Sequence, residues 1–161
     1  SQFFAAEEKF ARALTFRPGD VAALAARTHA QISGGLFISA SNNLRELLTS
    51  HPEVAGVRYT RELVSTDDRA RIVKTDLEAR MGLNAKSLGP LGLQPVRDAG
   101  LIYAYFCYQL GDRPGVERGI EAMLARIPEK DEPSLADQRL ALFCRGVWLA
   151  TPAAEPVSPG K

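Results

Sequence analysis

The sequence predicts an all-α fold with no sheet, built from antiparallel helical hairpins, and three observations carry this prediction. One spaced pattern of small and apolar residues that ends in proline occurs twice, 34 residues apart. Apolar residues elsewhere recur at steps of three and four, the spacing that places side chains on one face of a helix. Clusters of glycine and proline separate these segments, as turns between helices require.

The repeated pattern is A-x3-F-x2-A-x4-P in its first copy, and the second copy keeps the same spacing. Its small and large apolar positions share one helical face, and proline ends the helix because it lacks the N–H that would continue it. We expect the large apolar residue of each copy, and Ile120 in a later unit, to be buried between hairpins. The two copies are Ala6, Phe10, Ala13 and Pro18, then Ala40, Leu44, Leu47 and Pro52.

The first three helices are expected at 4–17, 20–33 and 36–50. Pro18 ends the first of them. Asp20 is a suitable N-cap for the second, because its carboxylate can accept hydrogen bonds from free backbone N–H groups. The second helix is rich in alanine, the best helix former, and a glycine pair then turns the chain into the third.

The middle of the chain predicts two further helices and a loop. Pro52 is typical of a first helical turn and indicates a helix over 53–64. A second helix is expected at 67–81. The segment 83–95 contains two glycines and two prolines and cannot continue it, so we interpret this segment as a leucine-rich insertion loop. Its leucines are expected to pack over the helices.

The last three helices are expected at 97–110, 114–127 and 134–149, which makes eight in all. Gly111 marks the turn between the first two. Residues 134–150 should form a terminal capping helix, because a stack of hairpins exposes apolar surface at its end unless a last element covers it. The helical domain thus extends over 1–150.

The composition fits one globular domain with a short tail. Hydrophobic residues make up 45% of the 161 positions and charged residues 24%, which are ordinary values for a folded domain. The net charge of +1 gives no attraction for nucleic acid or an anionic membrane, so neither is expected as a partner. The proline-rich residues 151–161 are predicted to be a disordered tail or linker. The chain is expected to be soluble, with a cytoplasmic location favoured.

Few residues in the chain could carry chemistry. Cys107 and Cys144 lie in apolar segments without C-x-x-C spacing, which indicates buried thiols. Only His29 and His51 could act as bases near neutral pH, and His51 adjoins a proline that begins a helix. No phosphate-binding glycine loop, nucleophile elbow or paired-histidine motif occurs. We therefore expect no enzyme, no cofactor and no metal.

The repeated pattern resembles the second helix of a tetratricopeptide repeat, whose period is about 34 residues. The resemblance covers 4–52 and 97–130, with 53–82 as a weaker unit between them. It implies a right-handed α-solenoid, in which 4–17 is a second helix whose hairpin partner precedes Ser1. The first-helix positions match the family poorly, which leaves another helical-hairpin repeat or an irregular helical domain as an alternative.

The resemblance implies a protein-interaction scaffold that binds a peptide or protein on its concave face. The family's groove positions, carried over residue by residue, fall on Ala25 and on the five residues that we predict to bind a partner: His29, Tyr59, Leu101, Tyr105 and Tyr108. Tyrosines suit recognition because they combine a large apolar area with one polar tip. Ordinary packing is the alternative role for all three tyrosines. The lysine, arginine and asparagine of the family's peptide-carboxylate clamp do not occur at these positions.

Two other functions are open at this stage. The first helix could join a second copy of the chain, because Phe3, Phe4 and Phe10 cannot all be covered by one neighbouring helix. Alternatively, a pocket against the 83–95 loop could bind a small ligand or hold an active site. A pull-down that recovers a partner protein would support the scaffold. A metabolite screen that shifts the melting temperature would support a ligand-binding or enzymatic function.

Overall fold

The computed structural model describes residues 2–60, 64–84 and 88–150. Within these ranges the chain is helical and contains no strand, apart from one isolated antiparallel bridge between Ile127 and Asp131. The all-α prediction is confirmed for this part of the chain. The seven α-helices are α1 (Gln2–Phe16), α2 (Val21–Gly34), α3 (Phe37–Ser50), α4 (Asp67–Met81), α5 (Gln94–Leu110), α6 (Arg113–Met123) and α7 (Leu135–Trp148). The predicted tail, 151–161, lies outside the described residues.

The first three helices pack as successive antiparallel neighbours. The Asp20 carboxylate accepts a hydrogen bond of 3.0 Å from the Ala23 backbone N–H, which fixes the start of α2. Glu7 of α1 accepts hydrogen bonds from Arg27 and Gln31 near the other end of α2. The C-cap Gly35 has φ of +78°, a conformation that favours glycine, and it turns the chain into α3.

The predicted helix over 53–64 is wrong for the described part of that range. The chain makes one 3-10 turn, Pro52–Val54, and is then irregular to residue 60. Side chains of α5 and α7 donate hydrogen bonds to the carbonyls of residues 55, 56 and 57, which therefore do not join a helix. The donors are Trp148, Tyr108 and Gln109, at 2.9, 2.8 and 3.0 Å respectively. Residues 61–63 lie outside the described chain.

The leucine-rich loop is shorter than its predicted range, 83–95, because α5 begins at Gln94. Its residues 85–87 lie outside the described chain, and Gly89–Leu91 forms a 3-10 turn. Helix α5 begins at Gln94 because Pro95 occupies its first turn, where the missing N–H has no cost. Leu93 is buried, whereas Leu91 is 68% exposed, so the expectation that the leucines pack over the helices holds only in part.

Helix α5 is the centre of the core, since every residue from 99 to 109 is buried. A helix that is covered on all sides in this way lies inside a protein rather than on its surface. Helices α3, α4 and α6 pack against it. The contact with α6 is closest at two glycines, because a Cβ at Gly100 would lie 2.7 Å from the Gly119 carbonyl oxygen.

Helix α7 closes the described chain and reaches back to α3. The Ser134 hydroxyl accepts a hydrogen bond of 3.1 Å from the Asp137 N–H and so caps the start of the helix. The Asp137 carboxylate pairs at 2.6 Å with Arg45 of α3, whose guanidinium also bonds Asp98 of α5. Helix α6 ends at Met123, earlier than predicted. The Ala125 carbonyl therefore lies outside the helix, and it accepts a hydrogen bond of 2.9 Å from Arg97.

The three large apolar residues of the pattern have different surroundings. Leu44 and Ile120 are fully buried, as predicted. Phe10 is only half-buried, and α1 has no buried residue at all, so the prediction for Phe10 is wrong. The reason is that α1 packs mainly against one helix, α2, and among the described residues no other helix makes an extensive contact with it.

Candidate binding cleft

An apolar cleft of about 420 Å³ lies between α1, α2 and the segment around Tyr59. Small side chains form most of its walls, and α2 contributes three alanines. These alanines leave the space open because they project no atom beyond Cβ. The cleft is lined by Phe10, Ala13, Asp20, Ala22, Ala23, Ala26, His29 and Tyr59.

His29 lines the inner end of this cleft and is itself 3% exposed. Its Nε2 atom and the Tyr105 hydroxyl are hydrogen-bonded at 2.8 Å. The Tyr59 ring meets the imidazole edge-on, with 4.8 Å between ring centroids. Burial lowers the pKa of His29 from its usual 6.5 to about 4, because the charged imidazolium loses its water. The cleft therefore ends in a neutral group near neutral pH.

An aromatic cluster continues inward from His29. The Tyr105 ring packs on the Trp148 ring with centroids 5.9 Å apart. The Tyr108 ring also stacks on the Trp148 ring, with centroids 5.8 Å apart. The Arg58 guanidinium lies 4.8 Å from the Tyr108 ring centroid, within the range of a cation–π contact. This cluster joins α2, α5, α7 and the irregular segment after α3, so it holds the inner end of the cleft rigidly.

The structure brings four of the five predicted groove residues together in one chain of ring contacts, which includes Trp148. His29, Tyr59 and Tyr105 are in direct contact, and Tyr108 joins them through Trp148. Leu101 is fully buried in α5 and takes no part in these ring contacts. His29, Tyr105 and Tyr108 are also buried, which leaves Tyr59 as the one residue of the five with a partly exposed side chain. Partner binding by these residues stays a prediction.

The cleft and the adjoining aromatic cluster contain residues that sequence reasoning did not assign to a site. Phe10 was expected in the core, and the alanines of α2 were interpreted only as helix formers. Trp148 was placed on the capping helix without a role. The alanine-rich stretch was the available signal for a cleft, since small side chains at one helix face leave room. No local signal could connect Trp148 with Ala55, which lies 93 positions earlier in the sequence.

A second depression, of about 410 Å³, lies against the 3-10 turn Gly89–Leu91. This is where the small-ligand alternative placed its pocket. Its carboxylate, Asp131, accepts hydrogen bonds from the Leu93 N–H and from Arg97. These contacts lower the pKa of Asp131, the backbone hydrogen bond most of all. The carboxylate therefore has a structural role in holding the start of α5.

The described residues offer little for metal or redox chemistry. Within them no group of three or more histidine, cysteine or acidic side chains could hold a metal ion. Cys107 and Cys144 are free and buried, and burial raises the pKa of each thiol to about 12. Among the helices that the structure describes, none combines the length and apolar character needed to cross a bilayer.

Comparison of the chain with protein-family models, with curated proteins and with solved structures found no match. The described residues form an all-helical domain with an open apolar cleft. The tetratricopeptide-like resemblance stays a prediction.

Proposed function

We propose that this domain is a protein-interaction scaffold that binds a peptide segment of a partner protein in the cleft between α1 and α2. The observation that carries the proposal is the apolar lining of a cleft that remains open beside a helix with no buried residue. An apolar side chain entering the cleft would remove its own surface and that of the walls from water. No catalytic role is proposed.

The polar groups of the cleft favour a peptide side chain over a charged small molecule. Small-ligand sites fix their ligand with several convergent polar groups. Here the Asp20 carboxylate already accepts the Ala23 N–H, and His29 is engaged with Tyr105. Tyr59 at the rim combines an apolar ring with a polar hydroxyl, which suits contact with a peptide backbone. A leucine or phenylalanine side chain is therefore the occupant that fits best.

The proposal includes the stacked-hairpin arrangement, a right-handed α-solenoid of the tetratricopeptide type with the cleft on its concave side. Two features support it. Helices α1, α2 and α3 are successive antiparallel neighbours, and α5 and α6 form a tight hairpin around Gly111. In this arrangement the partner would contact Tyr59 and the cleft walls, whereas the buried tyrosines of α5 would support them from beneath.

Peptides selected against the full chain from a random peptide library would test the cleft. Ala22 is exposed at the second position of α2, so Ala22→Glu places a carboxylate in the cleft at a helix end that favours negative charge. We expect the selected peptides to carry a leucine or phenylalanine anchor and to bind this variant at least about tenfold more weakly, because a buried charge opposes the apolar anchor.

Ala79→Glu is the control, since Ala79 is an exposed alanine of α4 that does not line the cleft. The selected peptides should bind this variant as they bind the parent. Equal binding to the parent and to Ala22→Glu by every selected peptide would contradict the proposal.

Self-assembly through α1 is a second candidate, favoured by the exposure of Phe4 at 51% and Phe16 at 83%. At 3.6 residues per turn these two rings lie roughly 120° apart around α1, so they do not form one patch. Light scattering over a range of concentrations tests this candidate. A dimer that Phe16→Ser or Phe4→Ser dissociates would support it, and a monomer at every concentration would contradict it.

A further inference from the structure

The outer face of α7 carries leucines at intervals of one heptad. Leu135 is 60% exposed and Leu142 is 67% exposed, and these two residues form the leucine row; Leu149, one heptad further and just beyond the end of α7, is half-buried against the core. Residues seven apart lie almost directly above one another on a helix, about 10.5 Å apart. Single exposed leucines are common on protein surfaces, but a straight leucine row is the pattern of a helix that packs against another helix.

The charges beside this leucine row are all positive. Arg139 lies on one side of the row and Arg145 on the other, and both are exposed. Within the described chain, neither side chain forms a hydrogen bond or an ion pair. The single carboxylate of α7 belongs to Asp137, which is buried and paired with Arg45. The solvent-facing side of α7 thus combines apolar surface with two arginines that lack an acidic partner.

A groove of about 530 Å³ between α3 and α7 adjoins the row. Leu48 of α3 forms one wall, Leu140 and Phe143 of α7 form the other, and Arg139 lies at its edge. Gly146 lies beside the row and has no atom within 4 Å of the position of an added Cβ. A second helix could therefore approach the backbone of α7 closely and place one bulky apolar side chain in the groove.

We propose that this surface, formed by Leu135, Leu142, Arg139, Arg145 and the α3–α7 groove, binds an acidic amphipathic helix of a partner protein. The apolar face of that helix packs on the leucine row, and its aspartates or glutamates pair with the two arginines. The surface shares no lining residue with the cleft between α1 and α2, so it is a separate site.

The charge pattern selects this occupant over a second copy of the chain. In an antiparallel pair of α7 helices packed through the leucine row, Arg139 of each copy would lie on the same flank as Arg139 of the other, and Arg145 beside Arg145. A parallel pair would place Arg139 of one copy on the same flank as Arg145 of the other. Either arrangement brings like charges together, which is unfavourable between packed helices, whereas acidic flanks satisfy both arginines.

Two synthetic helical peptides, three heptads long and fluorescently labelled, test the proposal against the full chain. Both carry leucine at the core positions; one carries glutamate at the flanking positions and the other lysine. At low salt we expect the acidic probe to bind at least about tenfold more tightly than the basic probe, as measured by fluorescence anisotropy. Leu142→Ser should weaken binding of the acidic probe at least tenfold. Leu91→Ser, at an equally exposed leucine outside α7, should not.

Charge reversal gives the decisive comparison. The double variant Arg139→Glu/Arg145→Glu should prefer the basic probe, and Arg139→Gln/Arg145→Gln should lose the preference while keeping the circular dichroism of the parent. No binding of the acidic probe, or a preference unchanged by charge reversal, would overturn the proposal. A dimer of the parent that Leu142→Ser dissociates would assign the surface to a second copy. Tighter probe binding after deletion of 151–161 would assign it to the tail.

Discussion

Among individual side chains, His29 makes the stability of the fold depend on pH. Folding lowers its pKa from 6.5 to about 4 through burial, so the unfolded chain binds this proton more tightly than the folded chain does. The contribution to stability is complete above the unfolded pKa and is lost as the pH falls from about 6.5 towards 4. We expect a loss of about 3 kcal/mol in the free energy of unfolding over this range. Urea denaturation near pH 7 and near pH 4 measures it.

The variant His29→Gln is the control for this pH dependence. Glutamine can keep a hydrogen bond to the Tyr105 hydroxyl but does not titrate. The rings that face His29 belong to Tyr59 and Tyr105, and burial raises the pKa of both, so neither supplies a negative charge to offset an imidazolium. The free energy of unfolding of His29→Gln should therefore fall less with acid than that of the parent. Parallel pH profiles would show that other groups cause the loss.

The sequence identifies side chains that act on their own neighbours and misses those that act at a distance. Asp20 caps its helix as predicted, and Ser134 caps α7 in the same way, because a cap is completed by backbone groups within three residues. The hydrogen bond between His29 and Tyr105 joins residues 76 positions apart. No local pattern specifies it, so the sequence could nominate both residues for one surface but could not show that they are buried together.

Among the helices, the α5–α6 pair depends most sharply on side-chain size. A Cβ at Gly119 would lie 2.5 Å from the Ala104 nitrogen, so alanine there would force the two helices apart. We expect Gly119→Ala to destabilise the fold by about 1–3 kcal/mol, the usual cost of overpacking. Chemical denaturation followed by circular dichroism gives this value.

Gly146→Ala provides the matched control for Gly119→Ala, because it is the same substitution within an α-helix. An added Cβ at Gly146 meets no atom within 4 Å. Alanine should therefore stabilise α7 by roughly 0.5–1 kcal/mol, since it restricts the unfolded chain and favours the helix. A neutral or stabilising Gly119→Ala would contradict the close contact between α5 and α6.

Helices with a clear apolar stripe and local end signals were predictable, and the segments between them were less so. Helix α2 has its cap and its terminal glycine in the adjacent sequence, and it forms within one residue of the expected range. The predicted helix 53–64 had an equally good start at Pro52. Its described part is irregular because the side chains of α5 and α7 bind its carbonyls, a tertiary effect that outweighs local preference.

The chain adds contacts between distant segments to the contacts between neighbouring hairpins that the proposed stack implies. In a solenoid each unit contacts the next, and stability is nearly a sum of such local terms. Here the Arg45 guanidinium joins α3 to both α5 and α7. The Trp148 indole donates to the Ala55 carbonyl at 2.9 Å, which ties the end of α7 to the segment after α3. These contacts couple the N-terminal half of the domain, residues 2–60, with the C-terminal half, helices α4 to α7.

This coupling predicts that the domain unfolds in one cooperative step. Trp148 is the single tryptophan of the chain, and it is buried between Tyr105 and Tyr108, so its fluorescence reports the contact between the two halves. Far-ultraviolet circular dichroism reports the helices of both halves together. If the contacts of Arg45 and Trp148 couple the halves, the two signals should give the same denaturation midpoint, as two-state unfolding requires.

Arg45→Met should lower both midpoints equally, because it leaves Asp137 buried without its ion-pair partner. A fluorescence transition at lower denaturant than the circular dichroism transition would show that α7 separates first and that the halves are stable independently.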